Sequence, residues 1–347
     1  MAIGFGIIGC GMISRFHAKA IAEIRGAKLV ACQDQSQERA EKFAAEFPCT
    51  PYADLAEMVA RPDIDVVTIC TPSGAHMEPG VVAAKAGKHV LVEKPLEVTL
   101  KRCDTLIAAC AKAKVRLGTI LPSRFHDSSR ALKQAVDQGR FGKIALADAY
   151  VKWFRTQQYY DSGAWRGTWK LDGGGALMNQ AIHSVDLLLW LMGPVTEISA
   201  NVATVAHERI EVEDVATATV RFASGALGVI EASTASFPGS LKRIEISGSQ
   251  GMATLEEESI IQWNFSKETA KDKKMMEQLR NNTKTGGGAS DPTAIGHEAH
   301  RELFKDFIKG INGGEPSMIE GGEGRRSVEL ITAVYQSAKT GRRVKLG

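Results

Sequence analysis

The sequence predicts an α/β fold in two parts: an N-terminal doubly wound parallel sheet of Rossmann type, then an α+β domain with a large open, mostly antiparallel sheet. Three observations predict it. Residues 3–121 alternate short apolar runs with helical stretches in βαβα order, and those runs lack the polar alternation of a half-exposed strand. After Pro122 the pattern turns to strand-like stretches punctuated by glycine and proline. At 347 residues the chain exceeds one ordinary core, so two domains are expected, 1–122 and 123–347, with the C-terminal helix and tail free to pack back on the first.

In the first part, strands are read at IGFGIIG, KLVACQD, DVVTICTP, HVLVEKP and VRLGTIL. Helices run between them through HAKAIAEI, QERAEKFAAEF, MEPGVVAAKAG and LKRCDTLIAACAKA. Such a sheet offers its binding crevice at the carboxyl ends of the strands. In the second part, a helix through SSRALKQAVDQG leads to a strand at IALADAYVKWF, an aromatic loop, and the glycine-led helix GGGALMNQAIHSVDLLLWLMG. Strands follow at TEISANVATVA, VATATVRFA, ALGVIEASTA, LKRIEISGS and MATLEEES. The uncovered face of an open sheet favours self-association, so a homodimer or homotetramer is expected. Residues 266–292, charged and glycine-containing, read as a solvated loop or lid, with an oligomer arm as the alternative.

Composition excludes several function classes. Lysine and arginine number 43 against 40 acidic residues, a formal charge of +3, and no basic stretch is interleaved with aromatics; nucleic acid and anionic membrane are not expected partners. No run reaches the roughly 18 apolar residues of a membrane span, and the apolar start MAIGFGIIGCGM reads as a buried strand. Six cysteines without CxxC pairing indicate reduced, cytoplasmic usage. HEAH at 297–300 lacks an acidic partner of metal-site spacing, so no metal is expected.

The motifs sit where a crevice is expected. GIIGCGMIS, residues 6–14, places Gly9 and Gly11 at the first two positions of a dinucleotide fingerprint, with Ser14 at the third. Gly9 permits the tight turn, and Gly11 lets a pyrophosphate approach the backbone N–H groups where Met12 and Ile13 open the helix. Asp34, at the end of the second strand, suits the hydroxyls of an adenosine ribose and repels a 2′-phosphate, which predicts NAD in preference to NADP. Arg39 nearby reads as a solvated helix residue. Thr71, Pro72 and His76 follow the next strand as candidate cofactor neighbours, His76 alternatively as a helix cap. Glu93 and Lys94 end a further strand, where Pro95 fixes the chain as it leaves the sheet.

In the glycine-led helix, Asn179, His183 and Asp186 fall at i, i+4 and i+7, within roughly 60° of one another on an α-helix. That stripe is either a satisfied polar network in a core or the wall of a cavity.

Taken together, the stretch from Gly9 to His17, Asp34, EKP at 93–95 and GGGALMNQAIH at 173–183 make the chain resemble the Gfo/Idh/MocA family of nicotinamide-dependent oxidoreductases. The resemblance extends through the closing FIKGINGGEPSMIEGGEGRRSVELITAVYQSAKTGRRVKL. It implies a sugar-like substrate, Lys94 and His183 as the catalytic pair, glycines that let His183 approach the nicotinamide, and a cis Lys94–Pro95 bond. Many members carry Asp where this chain has Asn179; members acting on nucleotide-activated sugars are similar to it in having Asn. The reaction implied is oxidation of a secondary ring hydroxyl to a ketone, with His183 as base and Lys94 on the same oxygen. In WFRTQQYYDSGAWRGTW, residues 153–169, aromatic rings beside Arg155 and Arg166 suit a sugar, and Arg166 a carboxylate or diphosphate. Arg124, Tyr160, Trp165, Arg166 and Asn179 are the candidate substrate residues; packing is the alternative for the tryptophans. An inositol or free-hexose dehydrogenase is the alternative enzyme, and a catalytically silent NAD-binding regulator the alternative outside catalysis.

Overall fold

A computed structural model describes residues 2–270, 272–273, 276–277 and 296–347 of the chain. Its contacts divide it into two compact units. The first holds Met1–Pro122, Lys170–Gly173 and Gly296–Val328; the second holds Ser123–Trp169, Gly174–Ile295 and Glu329–Gly347. Most of 266–292 lies outside the described residues. Within its described part, Asp272 is buried, accepting from the Trp263 indole and paired with Arg140, so this position is not solvated.

The first unit is a six-stranded parallel sheet in the order β3-β2-β1-β4-β5-β6. The strands are β1 (Ile3–Ile8), β2 (Ala27–Gln33), β3 (Thr50–Tyr52), β4 (Val66–Ile69), β5 (His89–Val92) and β6 (Leu117–Thr119). Phe5, Ile7, Val66, Val67, Val90 and Leu91 are inaccessible on both faces of the sheet, which is why these runs show no polar alternation. Strand order reverses between β1 and β4, so the loops after these two strands border the crevice that doubly wound sheets use for ligands. Helices α1 (Met12–Ala22), α2 (Gln37–Glu46), α3 (Leu55–Val59), α4 (Met77–Lys85) and α5 (Leu100–Ala113) connect the strands. Ser36 and Thr99 cap α2 and α5 by accepting from the N–H groups of Arg39 and Arg102.

The second unit carries an eight-stranded sheet. Helix α6 (Asp127–Asp137) precedes β7 (Ile144–Lys152); α7 (Gln157–Asp161), a π-helix (Ala176–Ala181) and α8 (Ile182–Met192) follow. Then come β8 (Val195–Ala203), β9 (Val215–Phe222), β10 (Leu227–Ser233), β11 (Arg243–Gly248), β12 (Gly251–Glu256) and β13 (Ser259–Phe265). The sheet order is β13-β12-β11-β7-β10-β9-β8, with β14 (Val344–Lys345) on the last edge. All pairs are antiparallel except β7 with β10. MATLEEES, read as one strand, turns at its end into the β12–β13 hairpin. Strand β9 alternates buried and exposed residues along its length, the pattern of a sheet covered on one face.

Helix α9 (Glu298–Ile311) belongs to the first unit because its apolar stripe, His300, Leu303, Phe304 and Phe307, is buried there. The Phe304 ring lies 5.8 Å from Phe5 and 5.3 Å, edge-on, from His17. Helix α10 (Gly321–Thr340) completes the chain before β14.

Candidate active site

In the first unit, the loop after β1 is set by backbone geometry. Gly9 has φ +91°, and a Cβ there would meet the Cys70 carbonyl carbon at 2.9 Å. Only glycine combines that conformation with that approach. Gly11 is the opposite case: a Cβ there meets nothing within 4 Å, leaving open space above the first turn of α1, where N–H groups are unpaired. Met12 is exposed and Ile13 half-buried at that turn. Ser14 is accommodated by turning its hydroxyl back to donate to the Gly11 carbonyl at 2.6 Å. This cradle fits a dinucleotide pyrophosphate.

Asp34 closes the same edge. Its Oδ2 accepts from Cys10 N–H at 3.0 Å; its Oδ1 accepts from Ser36 N–H at 2.9 Å and from Arg39 Nη2 at 2.8 Å. Burial would raise the carboxyl, but these donors outweigh it and hold it below its ordinary value. Arg39 is an exposed helix residue, as expected, whose guanidinium pairs with Asp34.

Thr71 and Pro72 are half-buried after β4, and the Thr71 hydroxyl donates to the Ala75 carbonyl. His76, the third candidate after β4, is wholly buried, with Nδ1 2.9 Å from the Pro95 carbonyl and Nε2 3.0 Å from the Thr71 carbonyl, and burial lowers its pKa. It lies between the loop after β4 and the loop after β5.

The loop after β5 is the most tightly determined. Glu93 is buried; its Oε1 accepts from His17 Nε2 at 2.9 Å and its Oε2 from the N–H of Lys94 at 3.0 Å. Burial would raise this carboxyl, but the His17 hydrogen bond, with the charges around it, brings it down to about 2. Lys94 is thus fixed by its own backbone, half-buried, with the Lys94–Pro95 peptide cis. The HEAH pair separates: His297 meets Glu23, whereas His300 joins His17 and Glu93, with ligand-type atoms all within 4.8 Å of one another. An acidic neighbour for His300 therefore exists, supplied by a strand end far away in sequence. Both Glu93 oxygens are engaged in hydrogen bonds, one with His17 and one with the Lys94 N–H, so the cluster is joined to the Lys94 backbone.

In the second unit, the glycine-led segment is not α-helical throughout. Residues 176–181 form a π-helix, an uncommon turn frequent at functional sites, before α8 begins at Ile182. The wider turn breaks the single α-stripe expected for Asn179, His183 and Asp186. Gly175 is required at its start, since a Cβ would lie 1.9 Å from the Glu213 carbonyl oxygen. The Glu213 carboxylate accepts from Gly175 N–H at 3.0 Å, Leu177 N–H at 2.8 Å and the Tyr335 hydroxyl at 3.0 Å. Asn179 and His183 are half-buried on this segment.

Asp186 is bound to a partner in the core. It holds Arg124 through Oδ2 to Nε at 2.9 Å and Oδ1 to Nη2 at 2.6 Å, both side chains buried. Arg124, a candidate substrate residue in the sequence, thus forms a bidentate buried ion pair here. Tyr160, another candidate, is buried with its hydroxyl 2.8 Å from that of Thr234 and its ring against His207.

Trp165 and Arg166 are half-buried, and Arg166 donates through Nη1 to the Tyr159 hydroxyl at 2.6 Å. Gln180 Nε2 donates to the same hydroxyl and to Asn179 Oδ1, each at 2.9 Å, while Gln180 Oε1 accepts from Arg155 Nη2. Gln180 and Glu213 were not singled out by sequence. Gln180 adjoins Asn179 in a motif otherwise read for its histidine, and nothing local marks Glu213.

Comparison with known proteins places both halves. Residues 3–120 match the model of an oxidoreductase family with an NAD-binding Rossmann fold, and residues 129–254 match the GFO/IDH/MocA C-terminal domain. The chain is 30% identical to a myo-inositol 2-dehydrogenase of Thermotoga maritima, covering 98% of each, and 29% identical to a D-apiose dehydrogenase of Paraburkholderia graminis, covering 98% of this chain and 88% of that one. The crystal structure of the WlbA dehydrogenase from Bordetella pertussis, in complex with NADH and UDP-GlcNAcA, superposes with a TM-score of 0.89 at 35% identity, covering 100% of this chain and 99% of that one. With a glycine cradle for a dinucleotide, a ribose-type aspartate and matching family models over both halves, the chain belongs to the GFO/IDH/MocA family of NAD-binding oxidoreductases.

Proposed function

We propose that the chain is an NAD-dependent dehydrogenase that oxidises a secondary ring hydroxyl of a sugar or sugar derivative to a ketone. The observation that carries this reading is the His17–Glu93–Lys94 relay, which fixes a lysine at the carboxyl edge of a dinucleotide-binding sheet. NAD, when bound, supplies the hydride acceptor. His183 takes the hydroxyl proton, its unperturbed pKa being nearest neutrality among side chains. Lys94 donates to the same oxygen and stabilises developing negative charge, worth about 2.7–4 kcal/mol for a single such donor. Asn179 cannot exchange a proton and orients the substrate. Asp34 accepts from the ribose hydroxyls and disfavours a 2′-phosphate.

A nucleotide-activated sugar is the substrate class we favour, supported by likeness to the UDP-GlcNAcA-bound dehydrogenase and by Asn179. Free inositol is the second reading, on the strength of the Thermotoga relative. A silent regulator would need neither Lys94 nor His183. Following NADH formation with UDP-sugars, hexoses and inositols separates the three: turnover of UDP-sugars supports the main reading, inositol turnover alone replaces it, and NAD binding without turnover of any contradicts catalysis.

We also propose a homo-oligomer, dimer or tetramer, joined through the outer face of the eight-stranded sheet. Leu227, Leu146 and Met252 are exposed there and lie in one row, Leu227 paired with Leu146 and both Leu146 and Met252 paired with Ser247. No helix among the described residues is long and apolar enough to cross a membrane. All six cysteines are free, which supports a cytoplasmic setting.

A further inference from the structure

Arg166 is the arginine whose surroundings the reaction so far leaves unexplained. Its guanidinium carbon lies 4.2 Å from the centroid of the Tyr159 ring and 4.5 Å from that of Trp165, so two aromatic faces fix its plane. Nη1 is spent on the Tyr159 hydroxyl. Among the described residues no carboxylate pairs with Arg166, and its Nε–Nη2 edge meets no acceptor. Two other arginines of the same unit differ: Arg124 is paired with Asp186 and Arg209 with Asp161. The Tyr159 hydroxyl in turn accepts from Gln180, which donates to Asn179 on the segment that carries His183.

We propose that the Nε–Nη2 edge of Arg166 receives a carboxylate of the substrate, so that the sugar oxidised is a sugar acid; this rests on the dehydrogenase reading above. An arginine edge with two parallel N–H groups matches a planar carboxylate bidentately. Its aromatic packing and the Tyr159 bond restrict the side chain before binding, so less rotamer freedom is lost when the anion arrives. A diphosphate is the poorer fit, because it calls for more than one open cationic edge. The adjacent Arg155 already directs Nη1 to the Phe154 carbonyl and Nη2 to Gln180.

The test compares UDP-N-acetylglucosaminuronate with UDP-N-acetylglucosamine, which differ in having a carboxylate or a hydroxymethyl group. For the wild type, kcat/KM favours the acid by roughly 10- to 100-fold, the span of a hydrogen-bonded charge pair. Arg166→Met brings that ratio close to unity through the KM for the acid, Arg166→Lys leaves an intermediate ratio, and Arg209→Met, a surface control, keeps the wild-type ratio. A wild-type ratio near unity overturns the proposal, as does an Arg166→Met variant that retains the preference for the acid. Turnover of neutral sugars or inositols alone also overturns it and leaves the dehydrogenase reading standing. If no sugar is oxidised, the dehydrogenase reading fails. Calorimetric binding of the two UDP-sugars to the NADH-loaded protein then decides separately: a preference for the acid that Arg166→Met abolishes supports the carboxylate site, and equal binding overturns it.

Discussion

Glu213 and Leu177 are joined across 2.8 Å, carboxylate to backbone N–H, at the first turn of the π-helix. The same carboxylate holds Gly175 N–H, so one buried side chain satisfies two donors that the start of a helix would otherwise leave unpaired. Burial pushes this carboxyl above its ordinary range, against the backbone donors that favour its charge. Glu213→Ala strands both N–H groups and is expected to cost about 3 kcal/mol. Glu213→Gln keeps the shape and recovers part of the loss. Denaturant unfolding of the two variants measures the difference; equal stability of Glu213→Ala and wild type would remove Glu213 from this role.

The Arg124–Asp186 pair makes a sharper stability prediction, because both side chains are buried. Asp186→Asn leaves an uncompensated guanidinium and should destabilise the fold by about 3–5 kcal/mol. Replacing both by apolar residues of similar volume should restore much of it. A double-mutant cycle followed by thermal unfolding reads the coupling.

Stability should fall with acid through His300. Burial, followed by the charge of His17, lowers its pKa to about 4, against an ordinary value of 6.5. A depressed folded-state pKa contributes stability that is complete above the unfolded value and lost as pH falls from 6.5 towards 4. Between pH 7 and pH 5 this group alone should remove about 2 kcal/mol. His300→Phe, which keeps an aromatic ring beside Phe16 and His17, should flatten that part of the profile. Urea midpoints at the two pH values check it.

Cofactor choice should follow Asp34. Asp34→Asn keeps an acceptor for Cys10 N–H but removes the charge facing a 2′-phosphate and releases Arg39. The ratio of kcat/KM for NAD over NADP should fall on the order of 100-fold, as expected when a like-charge contact of several kcal/mol is relieved. An unchanged ratio would place the discrimination elsewhere.

The parallel sheet was readable because burial on both faces leaves a distinctive apolar run, and because the positive φ of Gly9 and its close approach to Cys70 are demands only glycine meets cheaply. Strand β3 was not read, since its three residues include none that is buried and so carry no apolar run. The π-turn was not legible, since residues 176–181 have ordinary helix-forming side chains and the carboxylate that holds their first turn, Glu213, lies over thirty positions away. The burial of Arg124 and His76 was not legible, since sequence shows a polar residue near a strand end but not the buried partner it meets. His300 was missed as a neighbour of Glu93 because the docking of α9 on α1 is a tertiary contact between opposite ends of the chain.

The central claim is that Lys94 and His183 carry the chemistry and do little to hold NAD. Its most direct test is the pre-steady-state rate of NADH formation in Lys94→Ala and His183→Ala, beside the NAD dissociation constant of each. The account predicts rates lower by about 100- to 10,000-fold, the range for loss of a proton-transfer group or an oxyanion donor, with NAD affinity within a few-fold of wild type. A variant that forms NADH at near wild-type rate would contradict the role assigned to that residue.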